Sequence, residues 1–181
     1  MRALTLIAVL LASGASALPA QHAGDVEFGG YGSYTRYDPR LQLGNQFGEG
    51  GRLGVFLGDH FGLEVDGNVS QPLSRYSGVG RPTVAFGSAS LVINSGGLFI
   101  LAGYSRLHMG PTAQYASDLN AVHAGLGERI FFVSDRAALR LEGRAYYRPP
   151  GGNPGSLDRI VHLTAMAGMS FLLGPGSNSR E

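Results

Sequence analysis

The sequence predicts an all-β chain, an eight-stranded antiparallel up-and-down transmembrane β-barrel, and three observations carry that prediction. Its segments alternate between apolar and polar residues, the joins between segments alternate in length, and the aromatic residues gather toward the two ends of the segments. The stretch "RAALRLEGRAYYR" (136–148) shows the alternation plainly. Ala138, Arg140, Glu142, Arg144, Tyr146 and Arg148 share one parity, while Ala137, Leu139, Leu141, Gly143, Ala145 and Tyr147 share the other. That is a strand with two chemically opposite faces. Alternation alone leaves two solvents open: arginines to water over a soluble core, or leucines to lipid around a polar interior.

Eight strands are expected at 26–37, 49–57, 61–70, 83–93, 98–107, 119–133, 137–148 and 159–173. "GDH" (58–60), "NSGG" (94–97) and "SDR" (134–136) carry the glycine, asparagine and aspartate that tight hairpin turns need. Between them lie four longer connections, 38–48, 71–82, 108–118 and 149–158, rich in Gly, Pro, Ser and Asn. Short turns at one end and long loops at the other are the asymmetry of a membrane barrel. In "FGLEVDGNVS", Phe61, Leu63, Val65, Gly67 and Val69 oppose Glu64, Asp66, Asn68 and Ser70. In "VHLTAMAGMSFLL", Val161, Leu163, Ala165, Ala167, Met169, Phe171 and Leu173 oppose His162, Thr164, Gly168 and Ser170. Several of these segments reach the roughly 9–11 residues that a tilted strand needs to cross a bilayer; strands of soluble proteins are nearer 5–6.

Phe28, Phe56, Phe61, Phe99, Phe131, Phe132 and Phe171 lie toward the short-turn end, and Tyr34, Tyr37, Tyr76, Tyr104, Tyr115, Tyr146 and Tyr147 toward the long-loop end. Two aromatic belts are expected where a membrane has two interfaces. Phe47, Phe86 and the mid-strand Tyr31 stand outside that pattern. The N-terminus, "MRALTLIAVLLASGASALPAQ", reads as a secretory signal peptide with small residues before Ala17 and Ala20. Cleavage after Ala20 would make 1–20 the signal and 21–181 the barrel domain. Beyond it no run of about 18 apolar residues predicts a membrane helix. The chain has no cysteine and a net charge of +1. The first excludes thiolate metal sites and disulfides; the second argues against a nucleic-acid partner. No metal-ligand cluster, phosphate loop or cofactor fingerprint is present, so no cofactor is expected.

If the apolar parity faces lipid, the interior receives Glu27, Arg52, Glu64, Asp66, Arg140, Glu142 and Arg144. In an eight-stranded barrel the third and seventh strands stand on opposite walls, so Glu64 and Asp66 face Arg140 and Arg144. The lumen is then filled by a structural network of arginine–carboxylate pairs, not an open pore. The opposite orientation would set arginine in hydrocarbon at roughly 2–4 kcal/mol each near the midplane. Gly125 and Gly127 in "AGLGERIFF" suit a crowded interior beside His123 and Arg129. The same parity sends Glu128 toward lipid, which requires a bulge after Gly127 or a place near the interface.

These residues resemble the OmpA/OmpX-like outer-membrane β-barrel family of Gram-negative bacteria, in its barrel domain only. "AGLGERIFFVSDRAALRLEGRAYYR" is similar to that family's Gly-x-Gly strand, Ser-Asp turn and charged return strand. "GMSFLL", with Gly168, Phe171 and Leu173, resembles its C-terminal assembly signal, although Met166 stands where a polar residue is usual and eight residues follow Leu173. The resemblance implies a porin-like fold in the outer membrane, surrounded by its lipid. It also implies a structural or surface-interaction role without catalysis, with the four long loops open to an external ligand or cell-surface partner.

Two other readings stand beside it. A lipid A-modifying enzyme of the outer membrane needs a nucleophile beside an oriented histidine; His108 precedes a loop, His123 has no serine near it in sequence, and "HLT" at His162 lacks the His-x-Ser pattern. A soluble, secreted, lipocalin-like barrel would turn the leucine face inward around a ligand cavity.

Overall fold

The computed structural model describes residues 22–110, 118–132, 136–148 and 160–174. The segments 1–21, 111–117, 133–135, 149–159 and 175–181, and with them the signal peptide, most of two expected loops and most of the expected third turn, lie outside the described residues. Eight strands form: β1 (Val26–Arg36), β2 (Gln46–Phe56), β3 (Phe61–Ser70), β4 (Val84–Ser95), β5 (Leu98–Met109), β6 (Asp118–Phe132), β7 (Ala137–Arg148) and β8 (Ile160–Leu173). Each pairs antiparallel with its sequence neighbours, and β8 returns to β1 to close the barrel. Closure leaves no unpaired sheet edge. Among the described residues no helix is long and apolar enough to cross a membrane, so any crossing falls to the strands.

Register fixes the geometry. Stepping through paired residues from Val26 to Val55, Leu63, Leu91, Ala102, Ala124, Ala145 and Leu163 arrives back on β1 at Arg36, ten residues further along. A stagger of that size over eight strands tilts them about 40° from the barrel axis. Between the starting valine and the closing arginine every residue of this row is apolar. Leu53, Leu63, Val65, Leu91, Ile100, Leu126 and Leu163 are all exposed, Leu126 to 67%. Outward leucine and valine on all eight walls make a girdle that water would penalise and hydrocarbon satisfies. A lipocalin-like arrangement would need that face inside, and it is outside.

Parity also corrects the aromatic belts. Phe28, Phe61, Phe132 and Phe171 at the short-turn end and Tyr34, Tyr104 and Tyr147 at the other are exposed on the outer face, as expected. Phe56, Phe99, Tyr37 and Tyr146 are buried inside instead, together with Phe86 and Tyr31. Distance from a turn sets a residue's height, but alternation sets its side of the wall. Phe47, expected in a loop, belongs to a β2 that starts three residues early; it pairs with Tyr34 at the external end, ring centroids 4.9 Å apart. Glu128 keeps the outward parity, because pairing runs through Gly127 and Glu128 on both sides without a bulge. It lies opposite Leu98, the first residue of β5, and so at the short-turn interface.

Inward glycines answer a packing need. A Cβ on Gly168 would run into the Gly30 carbonyl oxygen and stand 2.5 Å from Tyr31 Cβ, whereas one on the outward Gly143 would meet nothing within 4 Å. Gly168→Ala is therefore expected to cost about 1–3 kcal/mol through overpacking, and Gly143→Ala to stay within about 0.5 kcal/mol. Urea titration of both variants in detergent, followed by circular dichroism, checks the contrast.

Candidate functional site

The interior has two storeys. The one nearer the short turns is ionic. All seven residues expected in the lumen charge network lie there, buried: Glu27 on β1, Arg52 on β2, Glu64 and Asp66 on β3, and Arg140, Glu142 and Arg144 on β7. Arg140 is the hub. It forks onto Glu64 from across the lumen, at 2.5 and 3.1 Å, and its Nη atoms also donate to Glu27 at 3.1 Å and Glu142 at 2.8 Å. Arg144 donates to Asp66 at 2.6 Å, to Glu64 at 3.0 Å and to Glu142. Arg52 reaches Glu142 at 2.8 Å.

Arg129 on β6, which the sequence reading left out of the network, joins through Glu27 at 2.9 Å and Asn94 at 2.8 Å. With it, four arginines meet four carboxylates, and the cluster is neutral as a whole. The paired side chains are 0–2% exposed. Desolvating so many charges is offset only when each keeps several good partners, and the bidentate fork onto Glu64 is the strongest geometry available to a guanidinium. Aromatic faces complete the shell: Arg129 and Arg140 lie 4.4 and 4.2 Å from the Phe99 ring centre, and Arg52 lies 4.5 Å from that of Tyr31. This is why Phe99 and Tyr31 are inside.

Above the ions, uncharged polar links join nearby strands on the inner face. His123 bridges Ser90 at 2.8 Å and Ser105 at 2.7 Å, and Asn68 donates to Ser33 at 2.7 Å. The external storey is apolar, with Tyr37, Leu41, Leu43, Val84, Phe86, Leu107, Met109, Leu119, Tyr146 and Ile160 in one cluster. Three of these come from the first loop and its flank. Asp38 caps a short 3-10 turn, Pro39–Leu41, by accepting from the Arg40 amide at 2.9 Å, and the turn carries Leu41 and then Leu43 into the mouth. The second loop holds the first in place: Gly44 donates to the Leu73 carbonyl and Arg75 to the Gln42 carbonyl, both at 2.8 Å. The Tyr37 hydroxyl meets Ser70 at 2.7 Å, and burial pushes its phenol up to about 12. The loop residues behind this cap lack any period, so alternation could not reveal them.

The enzyme reading meets specific geometry. His108 faces outward at the external end, and Asp118 holds its Nδ1 at 3.1 Å, the orientation a catalytic histidine requires. Among the described residues, the two positions paired directly with it, Ala85 on β4 and Asp118 on β6, carry no nucleophile. His123 contacts serines but is buried between them. Among the described residues no group of His, Asp or Glu is placed to hold a metal ion.

An apolar girdle around a closed, ion-paired lumen, with short turns at one end and long loops at the other, defines an outer-membrane β-barrel of the small eight-stranded class. The fold is that of the OmpA/OmpX-like barrels. Three solved structures are similar to it. The N-terminal barrel domain of Pseudomonas aeruginosa OprF aligns with TM-score 0.55 and 15% identity over 84% of this chain and 100% of its own. Neisserial surface protein A gives 0.54 and 12%, over 81% and 95%. Ail, the attachment invasion locus protein of Yersinia pestis, gives 0.50 and 13%, over 83% and 99%. No protein-family profile matches the sequence, and no curated protein does.

Proposed function

We propose that this protein is a non-catalytic barrel of the outer membrane whose lumen is a structural plug and whose work is done at the external surface by the four long loops. One observation supports the reading: among the described residues, ion pairs occupy the interior below and the Tyr37–Leu43–Phe86 cluster occupies it above, as expected of a plug. Loops anchored to a rigid scaffold are where binding residues concentrate. The first two are knitted to each other, which lowers the entropy lost when a partner orders them. The names of two similar structures, a surface protein and an attachment protein, agree with such a role. Reconstitution in planar bilayers is expected to give no discrete conductance steps, and cells expressing the protein should keep their lipid A acyl chains. Regular channel openings would remove the plug, and loss of acyl chains would restore the enzyme reading.

A further inference from the structure

The outer wall is not evenly padded. Two adjacent rows of outward residues descend diagonally from the external end of β1 across β8 and β7 to β6. The upper row is Arg36, Leu163, Ala145 and Ala124; the lower is Tyr34, Ala165, Gly143 and Leu126, and it ends at Ile100 on β5. Where the four small residues of the two rows adjoin, the surface is hollowed into an open groove of about 640 Å³. Leu126, Ile100 and Leu163 stand along it, and Arg36 and Tyr34 form its upper rim.

We propose that this groove seats an acyl chain of an anionic, phosphate-bearing lipid of the outer leaflet, with the phosphate held at Arg36. Its position sets the kind of occupant, because the groove lies within the apolar girdle, where hydrocarbon is the surrounding solvent. Its length fits too. Four strand spacings from β1 to β5 make roughly 19 Å, and a row inclined about 40° to the membrane plane descends about 12 Å, close to one leaflet of a hydrocarbon core about 30 Å thick.

Charge selects the headgroup. Arg36 is exposed, faces outward where the groove meets the external interface, and has no carboxylate partner among the described residues. The other arginine at the groove, Arg144, turns its guanidinium into the lumen onto Asp66 and Glu64. A cation at the water-facing end of an apolar slot complements an anionic headgroup above a chain. The hollow is also not imposed by close backbone packing, since a Cβ at Gly143 would meet nothing within 4 Å.

The test uses the full protein purified from membranes, native mass spectrometry, and two probes with identical chains, dimyristoyl phosphatidic acid and dimyristoyl phosphatidylcholine. The wild type should retain one phosphatidic acid in preference to phosphatidylcholine. Arg36→Gln should cut that preference about fivefold, and Gly143→Leu should abolish retention of both while keeping the heat-dependent gel shift of a folded barrel. Three outcomes would overturn the proposal: a Gly143→Leu variant that retains lipid like the wild type, full displacement by inorganic phosphate alone, which would mean a free-anion site, or a Gly143→Leu variant that changes only the monomer–dimer ratio, which would make the groove an interface between copies. None of these outcomes bears on whether the lumen conducts or the loops bind a partner.

Discussion

Arg140→Ala is expected to destabilise the barrel by about 3–5 kcal/mol, the range for leaving buried charge uncompensated. Among the described residues its guanidinium is the one group that touches Glu27, Glu64 and Glu142 together. Without it Glu27 keeps Arg129, Glu142 keeps Arg52 and Arg144, and Glu64 falls back on Arg144 and, at 4.0 Å, Arg52, so a neutral cluster acquires a net negative charge. Glu64→Ala should be damaging for the mirror reason, because Arg140 and Arg144 then have only Glu142 left as a shared acid. Combining the two restores charge balance, so the double variant should lose clearly less than the sum of the singles, with a coupling of about 1–3 kcal/mol. Urea midpoints of the four proteins in one detergent decide the matter. Strict additivity would mean that Arg140 and Glu64 are not energetically coupled across the lumen.

The second large effect is on the outside. Leu126→Arg places a cation near the middle of β6 on the lipid-facing parity and is expected to cost about 2–4 kcal/mol in a bilayer. Val122→Arg, four residues nearer the external end on the same face, should cost markedly less, because the penalty falls to about 0–1 kcal/mol toward the interface. Folding titrations in lipid vesicles measure both. An exposed leucine in a water-soluble sheet would predict no depth dependence and a near-neutral change.

How much of this could be read from the sequence depended on whether alternation applied. Strand parity placed Glu64 and Asp66 opposite Arg140 and Arg144, because eight strands put β3 and β7 on facing walls. Arg129 escaped because its parity partners in "AGLGERIFF" are glycines and a histidine, which do not announce an ionic face. Phe56 and Phe99 fit a belt by their distance from turns, but each has the parity of the lumen. Leu41 and Leu43 reach the mouth through a capped 3-10 turn and a bridge between Leu43 and Ser74, long-range contacts that no local period encodes. The groove depends on which small residues become neighbours across four strand pairings, and only the register supplies that.

The account rests on hydrocarbon bathing the leucine and valine side of the wall. The chain lacks cysteine, so single spin labels at positions 63, 126, 139 and 163 in the vesicle-inserted protein report that solvent directly. Oxygen, which partitions into lipid, should relax all four strongly, and a water-soluble nickel chelate should barely reach them. Free access of the chelate to these sites, with oxygen no more effective than in water, would contradict it.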